Sequence, residues 1–366
     1  MNFYAILILK IIFIAMFASY VSTVVAHGAL SDDSSEGIGP LIFVPVVIAL
    51  LLFLMFANRK KGWSVLVIGG AGYAGTSLVS KLLARDFCVT VLDDSDESNN
   101  SLKHVIKHLD LKLVKGDFGD PEVLKEALKG CDALIYVARE INYTETAGSN
   151  RLGKSRDPNN LKNLVVKADN AGVKKIIFTS CMSVYGNTHS EMINEELEPQ
   201  PSTKFSQYLV QCENILTELS HIKLDICVVR PGSILGPSEG NRVKGELNEI
   251  VRAAILDKSN NVIPGFKSYP FIHIQDLTDL YLFLLDQPGV RINQQIYNAG
   301  FGQVEDTELC DTLSSLSKKE INLTFTQSKK AISREFSFTK LTKTLGFEPR
   351  FDLRKSLADL ISSSDS

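Results

Sequence analysis

A glycine-rich turn is the part of this sequence best suited to chemistry. Glycines at positions 70, 72 and 75 satisfy the spacing G-x-G-x-x-G, directly after an apolar, β-rich run at 63–68 and before a helical pattern at 76–83. Glycines let the backbone approach a phosphate, and a helix N-terminus supplies N–H groups and partial positive charge. The order of strand, turn and helix predicts a pyrophosphate site formed by Gly69, Gly70, Gly72, Tyr73, Ala74 and Gly75.

An acidic residue follows at the distance that a dinucleotide site requires. The second apolar run, 88–92, ends in Asp93, 18 residues beyond Gly75. A carboxylate at this place binds the adenosine ribose hydroxyls and repels a 2′-phosphate, so NAD is favoured over NADP. The alternative is that Asp93 and Asp94 begin an acidic surface loop.

Further motifs occur in a fixed order downstream of the glycine turn. They are Gly116-Asp117-Phe118, the runs 132–138 and 172–180, Ser183-Val184-Tyr185-Gly186, and the segments 230–237, 271–277 and 345–349. Together they resemble the extended short-chain dehydrogenase/reductase family, which includes sugar-nucleotide epimerases and dehydratases and 3β-hydroxysteroid dehydrogenases. The resemblance covers residues 63–357. It implies that Asp117 contacts the adenine beside Phe118, and that Val137 and Ala138 line the cofactor.

The same resemblance sets the expected architecture. It implies an α/β fold: a Rossmann-type, doubly wound parallel sheet with a small C-terminal substrate lobe. The dinucleotide-binding domain is expected at 62–230, with the substrate lobe at 231–357 interleaved with it and a disordered tail at 358–366. Related domains pair through a two-helix face, so a homodimer is a further expectation.

Members of this family carry a Tyr and a Lys as Y-x-x-x-K on one helix, with a Ser or Thr near the end of the fifth strand. The tyrosine hydroxyl transfers a proton to or from the substrate oxygen while hydride moves to or from nicotinamide. A phenol with a pKa near ~10 does this at neutral pH only if positive charge lowers the pKa, and the lysine supplies that charge.

This sequence contains no Y-x-x-x-K. Alignment on Pro201 and Glu213 places Phe205 at the tyrosine position and Leu209 at the lysine position. Counting back from Val184 places Cys181 at the serine or threonine position. All three catalytic positions are therefore substituted, and ordinary family turnover is not expected.

Two substitutes remain open. Lys204 and Tyr208 form a reversed K-x-x-x-Y on one helix face, which makes Tyr208 a weak catalytic candidate, against a solvated lysine and a partly packed tyrosine. Cys181 is either a nucleophile or a small buried thiol. Where sugar-nucleotide enzymes carry R-D, this chain has Tyr269-Pro270, which removes an arginine that would bind a substrate diphosphate.

The N-terminal residues predict membrane attachment. Residues 1–26 are typical of a signal peptide or signal anchor, 27–40 of a short luminal loop, and the uncharged apolar run 41–57 of a transmembrane helix, although a buried core helix is the alternative. Arg59, Lys60 and Lys61 follow at once, so the positive-inside bias places the domain on the cytosolic side of a secretory-pathway membrane. Sequons at Asn99, Asn142 and Asn322 would be glycosylated only if that orientation were wrong.

Composition narrows the partners. A net charge of -3 and a pI near 6.1 give no basic field for nucleic acid. The six cysteines show no spacing typical of a zinc site or a disulfide framework, so no metal is expected.

The sequence favours a membrane-tethered, NAD-binding protein that senses cofactor or acts as a scaffold without standard catalysis. The alternative is an active oxidoreductase or epimerase that uses non-standard residues on a nucleotide-sugar, lipid or steroid-like substrate. A pure interaction module with a relic glycine turn is a third reading.

Overall fold

The computed structural model describes residues 62–95, 101–137, 157–186, 188, 190–219, 222–239, 245–255, 262–264, 268–317, 324–326 and 334–364. The predicted signal segment at 1–26, luminal loop at 27–40 and span at 41–57 lie outside these residues, as does Ala138. Within the described ranges, no helix is both long and apolar enough to cross a membrane. Residues Lys61–Ser366 form a compact unit.

A seven-stranded parallel sheet forms the centre of this unit. The strand order is β11-β7-β5-β4-β1-β2-β3. The strands are β1 (Ser64–Ile68), β2 (Cys88–Asp93), β3 (Leu111–Lys115), β4 (Ala133–Tyr136), β5 (Lys175–Thr179), β7 (Asp225–Pro231) and β11 (Gln295–Ala299). The order reverses at β1, which pairs with β4 on one side and β2 on the other, as in doubly wound folds. The expected Rossmann-type sheet is confirmed.

Both faces of the sheet are covered, and β1 shows why its sequence is apolar throughout. Val65 and Val67 enter one core cluster, whereas Leu66 and Ile68 enter the cluster on the other face. Because successive side chains point to opposite faces, a strand buried on both sides reads as a continuous apolar run.

Helices connect and cover these strands. They are α1 (Tyr73–Ala84), α2 (Pro121–Ala127), α3 (Pro158–Asn170), α4 (Lys204–Glu218), α5 (Glu246–Ile255), α6 (Ile274–Asp286), α7 (Gly289–Ile292), α8 (Asp306–Ser317), α9 (Thr339–Leu345) and α10 (Leu353–Ser364). Helix α4 begins at a capping box in which Thr203 and Ser206 satisfy each other's backbone N–H groups.

The C-terminal half builds a smaller lobe with its own apolar cluster. Its strands are β8 (Ser233–Leu235), β10 (Tyr269–His273) and β12 (Gly302–Val304) in one sheet, with β9 (Val262–Pro264) paired to β13 (Thr324–Thr326) and β14 (Glu335–Phe336) paired to β6 (Met192–Ile193). Strand β11 returns from this half to pair with β7, so the two halves share the central sheet.

The expectation of a disordered tail from residue 358 was wrong as far as Ser364. Helix α10 continues to Ser364, and Leu357 and Leu360 are completely buried in the cluster of the C-terminal lobe. Two leucines three positions apart lie on one helix face, and their burial offsets the weak helix preference of the serine-rich end.

Candidate functional site

The glycine turn lies at the carboxyl end of β1, where the strand order reverses. In open α/β sheets, ligands bind outside the carboxyl ends of the strands at such a switch point. Gly69 has a φ of +80°, and its N–H donates to the carbonyl of Leu92 at 2.9 Å, so the turn is fastened to β2. The left-handed conformation favours glycine at this position.

Close contacts with the backbone explain why residue 75 is a glycine. A Cβ atom on Gly75 would lie 2.2 Å from the carbonyl oxygen of Gly69 and 2.7 Å from Cα of Gly70. No real side chain tolerates such distances to backbone atoms. Gly75 therefore allows α1 to pack directly on the turn.

Gly72 is different, because only one atom of the protein comes close to the place of a side chain there. Its φ of -75° suits any residue, and a Cβ would meet only the oxygen of Gly69, at 3.1 Å. Gly72 is also the N-cap of α1 and has no side chain to satisfy the first N–H groups of the helix. The space and the N–H groups both suit a phosphate, so the turn fits the pyrophosphate of a dinucleotide.

Asp93 ends β2 and is half-buried beside the turn. One carboxylate oxygen accepts from the N–H of Ala71 at 3.0 Å, and the other accepts from the N–H of Ser95 at 2.9 Å. A carboxylate has about four lone-pair sites, so both oxygens retain capacity for ribose hydroxyls. Asp93 therefore supports the turn and stays available at the predicted ribose position.

Asp117, Phe118 and Val137, which are three of the predicted cofactor residues, each make a different contact near the glycine turn. Asp117 accepts from the N–H of Gly119 at 2.8 Å and closes the turn that leads into α2. Phe118 buries its side chain edge-on against Tyr136, with ring centroids 5.6 Å apart, which leaves its backbone to meet a nucleotide. Val137 donates its N–H to the carbonyl of Ile68 at 3.0 Å.

Tyr73 joins the turn to the C-terminal lobe, a role that the motif did not predict. Its hydroxyl donates to the carbonyl of Gly236 and accepts from Asn248 Nδ2 at 3.1 Å. Ala74 is buried next to it in the core. The first turn of α1 thus positions the lobe that would hold a substrate.

The catalytic positions lie along α4 and at the end of β5. Leu209 is completely buried, and Phe205 packs partly buried against the same apolar cluster. Cys181 is half-buried and caps the 3-10 turn Met182–Tyr185, where its sulfur accepts from the N–H of Ser183 at 3.4 Å. None of these three side chains carries a charge that could lower the pKa of a phenol.

The reversed pair does not assemble. Lys204 is exposed, whereas Tyr208 is buried with its hydroxyl 3.4 Å from that of Tyr136. Burial, followed by the effects of Tyr136 and Cys212, raises the pKa of Tyr208 far above its ordinary value. Tyr208 is therefore a protonated core residue, and the catalytic role considered for it is not supported by this geometry.

A buried ion pair joins α4 to the central sheet. Arg230 on β7 donates from Nε to Glu213 Oε1 at 3.1 Å and from Nη2 to Glu213 Oε2 at 2.5 Å, and both side chains are nearly inaccessible. Arg230 also donates from Nη1 to the hydroxyl of Tyr185 at 2.7 Å, and that hydroxyl donates to Asn298 at 2.8 Å. Sequence reasoning used Glu213 only as an alignment anchor and did not predict this network.

One orphaned polar atom lies beside Cys181. Ser180 Oγ is buried and has no hydrogen-bond partner in the part of the chain that the structure describes. Buried hydroxyls without partners are uncommon, and this one lies at the carboxyl end of β5, the edge where a cofactor would lie. The site thus fits a dinucleotide at its phosphate and adenosine end, and the expected catalytic positions hold the uncharged side chains of Phe205, Leu209 and Cys181.

The sequence matches the model of the NAD dependent epimerase/dehydratase family over residues 65–300. UDP-arabinose 4-epimerase 1 of Arabidopsis thaliana is 23% identical over 308 residues, which cover 73% of this chain and 73% of that protein. The fatty acid hydroxylase uhd1 of Mycosarcoma maydis is 24% identical over 279 residues, which cover 72% of this chain and 89% of that protein.

Solved structures of similar fold agree with the sheet topology. The UDP-glucuronic acid 4-epimerase of Bacillus cereus, in complex with UDP-glucuronic acid and NAD, superposes with a TM-score of 0.72 at 18% identity. The match covers 82% of this chain and 99% of that chain. At this level of identity the likeness shows the fold alone.

Proposed function

Because this chain belongs to the NAD-dependent epimerase/dehydratase family, we propose that it is a membrane-anchored NAD-binding member that lacks Tyr/Lys catalysis and acts as a cofactor sensor or scaffold. Membership confirms the family resemblance that the motifs indicated. The finer proposal depends on one contrast within the site: the glycine turn leaves room for a phosphate, whereas the side chains at the expected catalytic positions of α4 are apolar.

NAD is the cofactor that this site best fits. Gly72 leaves room for the pyrophosphate at the N-terminus of α1, and Asp93 places a carboxylate at the ribose position. The carboxylate disfavours a 2′-phosphate by charge repulsion. When bound, NAD supplies a hydride acceptor; the residues of this chain would hold its phosphates and adenosine and keep Leu209 and Phe205 near its reactive half.

Leu209 is the main support for the proposed loss of catalysis. Family chemistry needs an ammonium at this position to lower the pKa of the tyrosine and to hold the nicotinamide ribose. Leu209 is completely buried among apolar side chains, and Phe205 at the tyrosine position has no proton to give. Removal of one such group costs about 10²–10⁴-fold in rate, and here both are replaced.

Membrane attachment is proposed from the sequence. The uncharged run 41–57 has the length and composition of a span, and three cations follow it. We place the folded unit in the cytosol on a secretory-pathway membrane. Extraction of membranes with alkaline carbonate should leave the full chain in the pellet, and Asn99, Asn142 and Asn322 should remain unglycosylated. Recovery in the carbonate supernatant, or a shift on endoglycosidase treatment, would argue against this arrangement.

Calorimetry and spectroscopy together test the central proposal. The unit 61–366 should bind NAD, more tightly than NADP, and should show no change in nicotinamide absorbance with UDP-sugars. Failure to bind NAD at millimolar concentration would refute cofactor sensing.

A second candidate is an active sugar-nucleotide epimerase with non-standard residues. The family match and the UDP-arabinose 4-epimerase relative favour it. Interconversion of UDP-sugars by the purified chain, abolished by Cys181→Ala, would support this candidate over a non-catalytic role. Cys227→Ala is the matched control, because Cys227 is a completely buried thiol of the central sheet.

A further inference from the structure

The loops that lead into the sheet strands share a feature that the cofactor site does not use. The connection that leads into each of six strands of the central sheet carries an exposed cation, which for the last strand lies in the short helix α7. These cations are Arg85 before β2, Lys107 before β3, Lys129 before β4, Lys174 before β5, Lys223 before β7 and Arg291 before β11. Because the strands are parallel, all of these loops lie at one edge of the sheet, here called the amino edge.

Fewer carboxylates than cations are exposed at this edge among the described residues. Among the described residues of these loops, Asp86 is exposed, whereas Asp110 and Asp132 are half-buried. Asp132 accepts from the N–H of Ser64 at 3.1 Å and pairs with Lys174 at 3.0 Å. Glu218 and Asp286, which are exposed, end α4 and α6 at this edge, and the half-buried Asp225 begins β7 there. The cations still outnumber the exposed carboxylates, so the amino edge is positive in a chain whose net charge is negative.

Exposed apolar side chains accompany these cations. Leu109 before β3 is 83% exposed, and Val290 before β11 is 93% exposed. Strands β3 and β11 are the two outer strands, so the two residues are separated by six strand spacings, or about 29 Å. Trp63 lies between them, before β1, with 37% of its surface exposed and the ammonium groups of Lys174 and Lys175 each 5.5 Å from its ring.

Apolar side chains set among lysines and arginines are typical of surfaces that contact anionic membranes. Tryptophan favours the level of the lipid headgroups, and each nearby Lys or Arg adds attraction to an anionic surface. A protein partner would be expected to cover a contiguous apolar patch. Here the apolar contacts are spread across the full width of the sheet, which suits a flat lipid surface.

The chain before β1 is short and basic. Seven residue steps separate position 57, the end of the predicted span, from Ser64, and seven extended residues reach at most about 25 Å. Three of the residues on this path are Arg59, Lys60 and Lys61, which add to the positive charge.

We infer that the amino edge of the sheet docks on the anionic headgroups of the membrane, with Leu109, Trp63 and Val290 as its apolar contacts. The inference rests on the proposed membrane attachment and extends it to a defined surface. The glycine turn follows the carboxyl end of β1, five residues or about 16 Å from the amino edge. The cofactor site therefore opens away from the lipid, and its ligands arrive from the aqueous phase.

The single tryptophan of the chain gives a direct readout. Trp63 is the one tryptophan in the sequence. The unit 61–366, which contains its own core clusters, is mixed with vesicles of phosphatidylcholine alone or with about a third phosphatidylserine. On the anionic vesicles the unit should co-sediment, its emission should shift to the blue, and brominated lipids should quench it. Equal or absent binding to both vesicle types would overturn the inference.

Variants separate this edge from the rest of the surface. Leu109→Asp combined with Val290→Asp should abolish quenching, and Lys129→Glu with Lys223→Glu should weaken binding by about fivefold or more for each charge. Phe301→Asp is the matched control, since Phe301 is 43% exposed after β11, at the opposite edge. Loss of binding in the control to the same extent as in the loop variants would also overturn the inference. Circular dichroism melts confirm that each variant is folded.

The outcomes distinguish this inference from the proposed function. Carbonate extraction of the full chain tests the span, and calorimetry tests NAD binding. Vesicle binding by the unit without the span tests the amino edge alone.

Discussion

The glycine turn after β1 and the sheet-facing side of α4 are filled in opposite ways. At the turn, Gly72 leaves space that the protein itself does not use. Along α4, Leu209 and Tyr208 fill the space with apolar and neutral side chains. The turn at residues 69–75 keeps a place for a ligand and is here called the open region. The sheet-facing side of α4, with Tyr208 and Leu209, fills the place where a charge would act and is called the closed region. Under the proposed function, cofactor binding and proton transfer are carried by separate elements, so that one can be lost while the other remains.

The largest expected effect comes from Glu213, which anchors the closed region. Glu213→Ala leaves the guanidinium of Arg230 buried without its carboxylate, and loss of one partner of a buried pair costs about 3 to 5 kcal/mol. Burial opposes the charge on Arg230, but the hydrogen bonds and charge of Glu213 outweigh it and raise the pKa of the arginine. Chemical denaturation should therefore show a large loss of stability.

Glu218→Ala is the control on the same helix. Glu218 is exposed at the end of α4, so its loss should change stability by less than about 0.5 kcal/mol. Similar losses for both variants would mean that the buried pair does not hold α4.

Leu209→Lys tests whether the closed region can accept the missing charge. An ammonium at a completely buried position should reduce stability by roughly 3 kcal/mol or more at neutral pH. Burial depresses the pKa of such a lysine, so the unfolded chain binds the proton more tightly and stability should recover as pH rises towards the lysine pKa of the unfolded chain. Leu209→Met, which keeps the volume and adds no charge, should cost less than about 1.5 kcal/mol. A lysine variant as stable as the parent, with turnover of UDP-sugars, would show that the catalytic pocket is still open.

Gly72→Ala tests the open region. Its φ allows alanine, so stability should fall by less than about 1 kcal/mol. The added methyl group occupies the phosphate cradle, and the affinity for NAD should fall by about tenfold or more in calorimetry. Gly130→Ala is the control, because it strains a backbone at φ +74° with nothing within 4 Å and lies at the amino edge. If Gly130→Ala weakened NAD binding as much as Gly72→Ala, the cradle would not be the binding site.

The open region could be predicted from sequence because its contacts are local. A strand, a turn and a helix that follow one another in the chain fix the places of Gly69, Gly72 and Gly75, and Asp93 ends the neighbouring strand. That Phe205 and Leu209 lie on one helix was also predictable, since α4 has a regular spacing, whereas their assignment to the catalytic positions stays a prediction.

The closed region could not be predicted, because its partners are distant in the chain. Tyr208 meets Tyr136 across 72 positions, and only the packing of α4 on the sheet decides that its hydroxyl turns inward rather than towards Lys204. The pair of Arg230 and Glu213 depends likewise on where β7 lies relative to α4. At the C-terminus, the helix that replaces the expected disordered tail depends on tertiary burial of Leu357 and Leu360, which the local sequence does not reveal.

The smallest effect is expected for Tyr208→Phe, which completes the comparison. The hydroxyl has a long contact of 3.4 Å with Tyr136, so its removal should cost no more than about 1 kcal/mol. Because burial raises its pKa far above the ordinary value, Tyr208 stays protonated through neutral pH and contributes no titration there. NAD affinity and the pH dependence of binding should be unchanged in the variant. Turnover present in the parent and lost in Tyr208→Phe would identify this residue as the proton donor, and α4 would then belong to an active enzyme rather than to a closed support for the cofactor site.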